Sequence, residues 1–449
     1  MNKNRVLVIG AGLAGVEASH FLANNGIEVV LAEAKTINRN PSQKLETFAE
    51  LVCTNSLKSK DISSAHGLLK SEMSHFNSLV LKAANETAVP AGDALAVDRE
   101  AFSELITKTL KSHENITVVM ADVSDPLAFA IEHNCSQIII ATGPLTTENL
   151  TKWIQTDLSK EDFYFYDAIA PVVDSDSLDY SKLYFKDRHK EFDESADYLN
   201  APMNEEQYYA FVEELVKAEK VPAQDFEEYK FFEACLPVDI MAERGKDTPR
   251  FSCMKPIGLT MEDGTEPYAV VQLRKENLLG SAFNLVGFQT RLKYPEQKRV
   301  FSMIPGFENA SFIHLGSVHR NSFLNARNLL NWDLSSKHHP HVHFAGQMTG
   351  VEGYTESASC GLYVAYNLLR KLTDKTFEKW PVETGMGALV NYIMTIEKPV
   401  PSSLNFGLIP PVPLTKDQRR FRKGRKKLKK QLAATRAREV FTGFMESQI

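Results

Sequence analysis

The sequence predicts an α/β fold in which a Rossmann-like nucleotide-binding domain is interrupted by an α+β insertion domain. Three observations support this prediction. The N-terminus is a complete strand–helix–strand unit with a glycine-rich turn, and two later strands also run into glycine-rich loops. The long segment between those two strands has a different composition. A chain of 449 residues has room for two or three domains.

The N-terminal unit begins with an apolar run, Arg5 to Ile9, that has the pattern of a buried parallel strand. Leu13 to Asn24 follows as a helix, which the pair Asn25-Gly26 ends. Ile27 to Ala32 is a second strand. A strand, a helix and a strand in this order, with glycines in the first turn, form the unit that binds the diphosphate of a dinucleotide.

Gly10, Gly12 and Gly15 have the G-x-G-x-x-G spacing of that unit. Gly10 permits a tight turn, Gly12 lets the backbone approach a diphosphate, and Gly15 lets the helix pack closely on the strand. The free N–H groups at the start of the helix favour phosphate. Glu33, about 20 positions further on, can accept from ribose hydroxyls. The residues of this unit that we predict to bind the nucleotide are Gly10, Ala11, Gly12, Leu13, Ala14, Gly15 and Glu33.

Two later segments indicate that this nucleotide is FAD rather than NAD. Gln137 to Thr147 is a buried strand that enters a glycine turn, and His341 to Leu369 is a strand, a glycine-rich loop and a helix. A late strand–loop–helix of this kind is typical of FAD enzymes of the glutathione-reductase-like, two-dinucleotide-binding superfamily. The sequence has no second G-x-G-x-x-G, so we predict no separate NAD domain. The further residues predicted to bind FAD are Gly143, Gly346, Gln347, Gly350, Glu352 and Gly353.

The intervening segment is rich in Glu, Lys, Tyr and Phe. It contains a helical pattern in "EEQYYAFVEELVKAEK" and then strand patterns in "EPYAVVQLRKEN" and "SAFNLVGFQT". We therefore predict the first part of the FAD-binding domain at 1–180 and an insertion domain, on the substrate side, at 181–316. The second part of the FAD-binding domain is predicted at 317–449, with a basic C-terminal segment at 416–438.

Composition and charge narrow the classes of function. The five cysteines are spread along the chain without a CxxC pair, which indicates a reducing compartment rather than a disulfide framework. No apolar run reaches the roughly 18 residues that span a bilayer, so we predict a cytoplasmic protein without a membrane partner. The net charge is −6, yet Arg419 to Lys430 carries nine positive side chains and no negative one. This asymmetry favours a polyanion partner, although a solvated helix end or a loose tail would look the same.

Cys53 lies in "LVCTNSLKSKD", where a lone cysteine would ordinarily be a small buried hydrophobe. Its context is more specific. Together with "FFEACLPVDIMAERGKDTPRF", "MKPIGL", "VGFQTRLKYPEQKRVF", "GSVHRNSFLN", "GQMTGVEGYTESAS" and "NFGLIPPVP", this stretch resembles the folate- and FAD-dependent RNA uracil-5-methyltransferases of the TrmFO type. The resemblance runs in order along almost the whole chain. This family is a smaller relative of the GidA flavoproteins, which modify the wobble uridine of tRNA.

The resemblance implies a reaction. The family takes a one-carbon unit from 5,10-methylenetetrahydrofolate and passes it through reduced flavin to C5 of a uridine in RNA. The product is 5-methyluridine, usually in the T-loop of tRNA, and a sister group with very similar sequences acts on 23S rRNA. NADH or NADPH reduces the flavin. An alternative function, in which the thiols would be incidental, is an FAD-dependent oxidoreductase of a small molecule.

The resemblance also implies that Cys53 and Cys235 are the catalytic thiols. Addition of a thiolate at C6 makes C5 of uracil nucleophilic, and a base must afterwards remove the C5 proton. We assign Cys53 as the nucleophile and Cys235 as the second thiol, although the two roles could be exchanged. Cations lower the pKa of a thiol, and the nearest in sequence to Cys53 are Lys58 and Lys60. The other cysteines, for which we predict structural roles, are Cys135, Cys253 and Cys360.

Several further residues are predicted to contact RNA or folate. Exposed basic side chains often stay solvated, so a structural or solvated role remains open for each. The four histidines of "KHHPHVHF" lack the spacing of a helical metal site, and we predict no metal. The residues predicted to bind RNA or folate are Arg250, Lys255, His319, Arg320, Arg419, Arg420 and Lys426.

Overall fold

The structure is a computed structural model. It describes residues 2–40, 42–158, 164–191, 196–221, 236–275, 282–397, 401–415, 418 and 425–448. For residues 2–3, 164–169, 314, 317–321 and 425–426 only the backbone is described.

The strands of the described residues alternate with helices in the first part of the chain and dominate the middle. In chain order they are β1 (Asn2–Ile9), β2 (Glu28–Glu33), β3 (Ser56–Ser59), β4 (Ala88–Val89), β5 (Ala94–Val97), β6 (Ile116–Met120), β7 (Cys135–Ile140), β8 (Tyr164–Ile169), β9 (Val172–Asp174), β10 (Tyr184–Phe185), β11 (Tyr198–Met203), β12 (Ala269–Lys275), β13 (Ala282–Leu285), β14 (Phe312–His314), β15 (Ser317–Ser322) and β16 (Val342–Phe344).

The helices of the described residues are longest in the last third of the chain. In chain order they are α1 (Leu13–Asn24), α2 (Ala65–His75), α3 (Leu79–Glu86), α4 (Arg99–Lys111), α5 (Pro126–Glu132), α6 (Glu148–Asp157), α7 (Glu205–Lys217), α8 (Val238–Arg244), α9 (Thr248–Phe251), α10 (Tyr294–Phe301), α11 (Ala326–Leu329), α12 (Tyr354–Leu372), α13 (Gly385–Thr395) and α14 (Arg425–Ser447).

A five-stranded parallel sheet in the order β16-β7-β1-β2-β6 forms the nucleotide-binding part of the fold. Its central strand β1 carries Val6, Leu7 and Val8, which are fully buried because helices cover both faces of a parallel sheet. Helices α1 and α12 pack so closely that a Cβ on Gly361 would lie 2.2 Å from the carbonyl oxygen of Ala14. The predicted Rossmann-like fold is confirmed.

A six-stranded sheet in the order β10-β11-β12-β13-β9-β14 forms the second part, which we call the insertion lobe together with helices α7 to α10. Its described pairings are antiparallel, and its core, with Tyr208, Phe211 and Phe283, is separate from that of the first sheet. Strand β9 joins this sheet although it precedes residue 181, where we predict the insertion domain to begin. The domain boundaries remain predictions.

Two smaller sheets complete the described architecture. Strands β3, β5 and β4 form one, and β8 pairs with β15 in the other. Helix α14, which contains part of the predicted basic segment, places Phe441 against Trp380 and against Phe76 at the end of α2. Within the part of the chain that the structure describes, no helix is long and apolar enough to cross a membrane.

Candidate active site

The turn after β1 brings backbone atoms closer together than side chains would allow. Gly10 has a φ of +99°, and a Cβ at this position would lie 2.8 Å from the carbonyl oxygen of Ala141. A Cβ on Gly15 would lie 1.8 Å from the carbonyl oxygen of Gly10. Both positions therefore require glycine. These distances agree with the tight turn and the close helix–strand packing that the glycine spacing predicts.

Gly12 differs from the other two glycines because a Cβ there would find space, with its nearest neighbour, the Ala141 carbonyl oxygen, at 3.8 Å. Gly12 precedes α1 and has no side chain that could cap the first turn. It lines an open cleft together with Gly10, Glu33 and Thr142. A helix N-terminus open to a cleft favours phosphate, so this cradle fits the diphosphate of FAD.

Glu33 ends β2 at the edge of the same cleft. Its Oε2 accepts from the backbone N–H of Ala11 at 2.7 Å, and its Oε1 accepts from the N–H of Lys35 at 2.9 Å. The carboxylate therefore fixes the two loops that flank the cleft. Each oxygen keeps a further lone pair, so Glu33 can still accept from a ribose hydroxyl, as predicted.

The two later glycine loops lie at the carboxyl end of the same sheet. Gly143 follows β7 with a φ of +68°, and Gly346 follows β16 with a φ of +77°. A Cβ on Gly346 would lie 2.8 Å from the Cβ of Ala14, so this loop packs directly on the start of α1. Gly353 has a φ of +111° and precedes the first residue of α12. The remaining predicted residues of this loop are Gln347, Gly350 and Glu352.

Cys53 lies in the loop before β3, where it is half-buried. Its backbone N–H and that of Thr54 both donate to the hydroxyl oxygen of Tyr354, at 2.7 and 3.1 Å. Burial chiefly, and then the neighbouring Cys53, raise the pKa of Tyr354, so this hydroxyl keeps its proton. Because Tyr354 begins α12, the Cys53 loop is tied to the third glycine loop.

The insertion lobe reaches the same loop from the other side. Arg274 of β12 donates from Nε to the Asn55 side-chain oxygen at 2.9 Å, and its Nη2 hydrogen-bonds the Thr54 hydroxyl. The Asn55 side chain donates in turn to the carbonyl oxygen of Lys275 at 2.8 Å. Residues 53–55 therefore lie where the two parts of the fold meet.

A cluster of charged side chains lies beyond this loop, around the first turn of α12. The Nζ of Lys58 is 3.6 Å from Oε1 of Glu356, and the Nδ1 of His66 is 3.1 Å from the same oxygen. Burial raises the pKa of Glu356, but Lys58 and His66 together outweigh burial and hold it below its ordinary value. Lys58 is one of the two lysines nearest Cys53 in sequence. Its charge is therefore balanced by the buried carboxylate of Glu356.

The second predicted thiol, Cys235, lies outside the described residues. The chain that follows it is anchored in the insertion lobe. The Val238 N–H donates to the carbonyl oxygen of Gln289 at 2.8 Å. Asp239 is fully buried and accepts from Nε of Arg291 at 2.6 Å.

Of the remaining described cysteines, Cys135 and Cys360 are buried and Cys253 is half-buried. Burial raises the pKa of Cys135 to about 11 and that of Cys253 to about 12, and it also raises the pKa of Cys360. Cys253 packs against Gly287, where an added Cβ would lie 2.7 Å from the cysteine Cβ. Since the thiolate is the reactive form, the raised pKa values make these three thiols poor nucleophiles.

The contacts of the described residues do not bring the predicted RNA- or folate-binding residues together at one site. The guanidinium of Arg250 stacks 4.0 Å from the ring of Tyr268, whereas Lys255 is exposed. The side chains of His319, Arg320 and Lys426 are not described, and Arg419 and Arg420 lie outside the described residues. Among the described residues no group of three His, Cys, Asp or Glu side chains could hold a metal ion.

The chain has relatives over its whole length. The family model for Glucose inhibited division protein A matches residues 5–376. A protein of Enterococcus faecalis, described as methylenetetrahydrofolate–tRNA-(uracil-5-)-methyltransferase TrmFO, is 48% identical over 91% of this chain and 93% of its own. A protein of Persephonella marina with the same description is 46% identical over 97% of this chain and 98% of its own.

The chain belongs to the TrmFO group of the GidA family. This TrmFO-type chain also shares its fold with a solved structure, Aquifex aeolicus GidA, with a TM-score of 0.66. The identity is 15%, and the likeness covers 97% of this chain and 76% of the Aquifex chain. The family resemblance expected from the motifs is confirmed.

Sequence reasoning missed two residues of this TrmFO-type site, Tyr354 and Arg274. Tyr354 stands inside the quoted motif "GQMTGVEGYTESAS", so the motif signalled its region but not its contact with Cys53. Arg274 stands in a strand pattern and carries no such signal.

Proposed function

We propose that this chain is an enzyme that transfers a methylene from 5,10-methylenetetrahydrofolate, via reduced FAD, to C5 of a uridine in RNA. Its relatives' names support this activity. The observation that carries the proposal is the position of Cys53. This half-buried thiol lies in a loop that the first turn of α12 and the insertion lobe hold from two sides. A thiol between a nucleotide cradle and a second lobe is placed for chemistry on a substrate.

FAD would be held by the glycine turns after β1, β7 and β16 and by Glu33. When bound and reduced, it supplies the carrier for the one-carbon unit and the reducing electrons. The N-terminus of α1 would stabilise the diphosphate, because its first N–H groups have no capping side chain. Gly353 leaves the entrance of α12 free of a side chain directly before Tyr354.

Cys53 is proposed as the nucleophile. Its thiolate adds to C6 of the uracil ring, which moves electron density to C5 and makes that carbon nucleophilic. The Tyr354 hydroxyl accepts from two successive backbone N–H groups and so fixes the direction of the Cys53 side chain. After C5 has bonded to the one-carbon unit, a base removes the C5 proton and the bond between that unit and its carrier breaks. A hydride supplied by reduced FAD would then complete the methyl group as the sulfur leaves C6. We assign that base to Cys235, with the roles of the two thiols open to exchange.

RNA docking is assigned to a basic face made of Lys60, Lys427, Lys429 and Lys430, all of which are exposed. Hydrogen bonds from Ser63 chiefly, and the nearby Lys427, lower the pKa of Asp61. The start of α14 therefore lies close to the loop that follows β3, and this loop is near Cys53 in the sequence. Lysines here would contact phosphates and position the RNA without selecting the uridine. The target base has to leave its stack to reach the thiol.

The reductant is proposed to be NADH or NADPH taken up from solution, since the sequence holds a single dinucleotide fingerprint. We favour tRNA over 23S rRNA as the substrate because the curated relatives are described as tRNA methyltransferases. A cytoplasmic location follows as part of the same proposal, because both RNAs and the folate pool lie there.

The test is mass mapping of 5-methyluridine in tRNA and in 23S rRNA, treated with the purified protein, methylenetetrahydrofolate and NADH or NADPH. New 5-methyluridine in tRNA supports the proposal. New 5-methyluridine found only in rRNA would mean that the enzyme carries out the same reaction on 23S rRNA. The control is Cys53→Ala, which should bind flavin and oxidise NADH but yield no methylated base. If the wild-type protein oxidises NADH but methylates neither RNA, the result would contradict the proposal and favour the alternative function, an oxidoreductase of a small molecule.

A further inference from the structure

Arg274 is a buried cation that crosses from the insertion lobe to the Cys53 loop. It lies on β12, next to the lobe's core, and is only 8% exposed. The contacts that the structure gives its guanidinium are two neutral oxygens, the Asn55 side-chain oxygen and the Thr54 hydroxyl. Burying a guanidinium is costly unless its N–H groups have hydrogen-bond acceptors. These two hydrogen bonds therefore stabilise the buried Arg274 and fix the positions of the Asn55 and Thr54 side chains.

Asn55 also donates a hydrogen bond from the Cys53 loop back to the insertion lobe. It is fully buried, and its side-chain amide donates to the carbonyl oxygen of Lys275 at 2.8 Å and to that of Val97 at 3.2 Å. One amide group therefore bonds to the insertion lobe on one side and to β5 on the other. The Val97 N–H donates back to the Asn55 carbonyl oxygen at 2.9 Å. The loop cannot move without breaking several buried hydrogen bonds.

We propose that Arg274 is a positioning residue for the reaction, acting through Thr54 on Cys53. This inference rests on the proposed function. Thr54 is fixed from two directions, with its backbone N–H on Tyr354 and its hydroxyl on Arg274. Cys53 is the preceding residue, so the direction of its Cα–Cβ bond depends on both anchors. Arg274 thereby sets the thiol relative to the insertion lobe, which also carries the chain leading out of Cys235.

The test compares Arg274→Met, Thr54→Val and the double variant by single-turnover methylation of tRNA, with rates expressed per bound flavin. Losing a hydrogen bond to a charged group costs about 1.5–3 kcal/mol, which corresponds to roughly 10- to 100-fold. We expect a fall of about this size in the rate constant for Arg274→Met, with KM for tRNA within about twofold of wild type. A merely structural loss would lower flavin content and leave the rate per flavin unchanged.

The double-mutant cycle decides whether the effect passes through Thr54. If it does, adding Thr54→Val to Arg274→Met lowers the rate little further, whereas independent losses would multiply. Thr54→Val keeps the side-chain shape and so serves if Arg274→Met does not fold. The matched control is Arg370→Met. Arg370 is also 8% exposed and donates to the carbonyl oxygens of Gln448 and Thr376, away from the Cys53 loop.

Three results would overturn the inference: an unchanged rate per flavin in Arg274→Met, an equal loss in Arg370→Met, or multiplying losses in the double variant. Failure of the proposed function looks different, because the wild-type protein itself would then form no 5-methyluridine. The two failures are therefore separated by the wild-type arm of the same experiment.

Discussion

The dinucleotide cradle depends on contacts between residues close in sequence, whereas the Cys53 loop depends on contacts between residues far apart in sequence. In the cradle, the decisive contact joins Gly10 and Gly15, which belong to one short glycine motif. The Cys53 loop depends on Tyr354, 301 positions from Cys53, and on Arg274, 220 positions from Thr54. One part is therefore specified by a local motif, and the other exists only once both lobes have packed. Substitutions in the cradle should remove flavin, while substitutions at the loop should spare flavin and slow the reaction.

The largest expected effect is that of Gly15→Ala. The added Cβ would lie 1.8 Å from the Gly10 carbonyl oxygen, so β1 and α1 would have to separate. We expect loss of bound flavin and a large fall in thermal midpoint, measured by absorbance at flavin wavelengths and by calorimetry. Gly12→Ala is the matched control, because its Cβ has space, and it should weaken flavin binding while leaving the apoprotein's midpoint unchanged. Equal destabilisation by both changes would contradict the distinct roles assigned to the two glycines.

On acidification, protonation of His343 by itself should cost the folded protein about 3 kcal/mol of stability. Burial lowers the pKa of His343, on β16, from 6.5 to about 4. Between these values the unfolded chain binds the proton and the folded chain does not, so the free energy of unfolding falls as the pH drops. The loss begins below about pH 6.5 and is complete near pH 4.

Comparison with His343→Leu isolates this effect, because Glu17 and Glu72 titrate in the opposite sense. Burial raises the pKa of each of these carboxyls to about 7. The free energy of unfolding is measured with denaturant at pH 7 and at pH 4.5. The difference between His343→Leu and wild type should shift in favour of the leucine variant at pH 4.5. Replacing the exposed His338 by glutamine should produce no such gain. The same change in unfolding free energy between the two pH values in wild type and in His343→Leu would exclude a contribution from His343.

Tyr354→Phe should have a smaller, kinetic effect that falls on the loop alone. It leaves the Cys53 and Thr54 N–H groups without their acceptor, which costs about 1–3 kcal/mol for buried donors. We expect the single-turnover rate of methylation to fall by roughly tenfold or more per bound flavin. Tyr294→Phe, at the exposed first residue of α10, is the control and should be neutral. Loss of flavin in Tyr354→Phe, with a normal rate per remaining flavin, would place Tyr354 in the cradle instead.

The smallest expected effect is that of Lys429→Ala combined with Lys430→Ala on the basic face. Each lost phosphate contact should lower the slope of log KM against log salt concentration by roughly 0.7–0.9, with kcat unchanged. KM for tRNA should rise a few-fold at physiological salt. The control pair is Lys82→Ala with Lys108→Ala, on α3 and α4. An unaltered salt slope in the first pair would remove α14 from the RNA surface.

The difference between the two regions also explains what the sequence could predict. Helix α1 runs from Leu13 to Asn24 as predicted, and the second strand is Glu28–Glu33 where we predicted Ile27 to Ala32. Helix α7 and strands β12 and β13 lie within the predicted helical and strand patterns. Hydrophobic periodicity and glycine spacing are local properties of the chain, and they were sufficient for these elements.

Arg274 shows why the rest could not be predicted. A charged residue in the alternating stretch "VVQLRKEN" is expected to face solvent. It is buried because the Cys53 loop, from a distant part of the chain, covers it and satisfies its donors. The same reasoning applies to Lys58, whose partner Glu356 is known only from the fold. The roles of Cys53 and Cys235 came from the family resemblance, and they remain to be tested.

The most direct test of the account is to trap the bond between Cys53 and the pyrimidine. tRNA containing 5-fluorouridine carries no C5 proton to remove, so the covalent intermediate should accumulate with wild-type protein, methylenetetrahydrofolate and NADH or NADPH. The account predicts that peptide mapping places the RNA adduct on Cys53 and that Cys53→Ala forms none. An adduct on Cys235 would exchange the roles of the two thiols. An adduct on neither cysteine, or full-speed methylation by Cys53→Ala, would contradict the account.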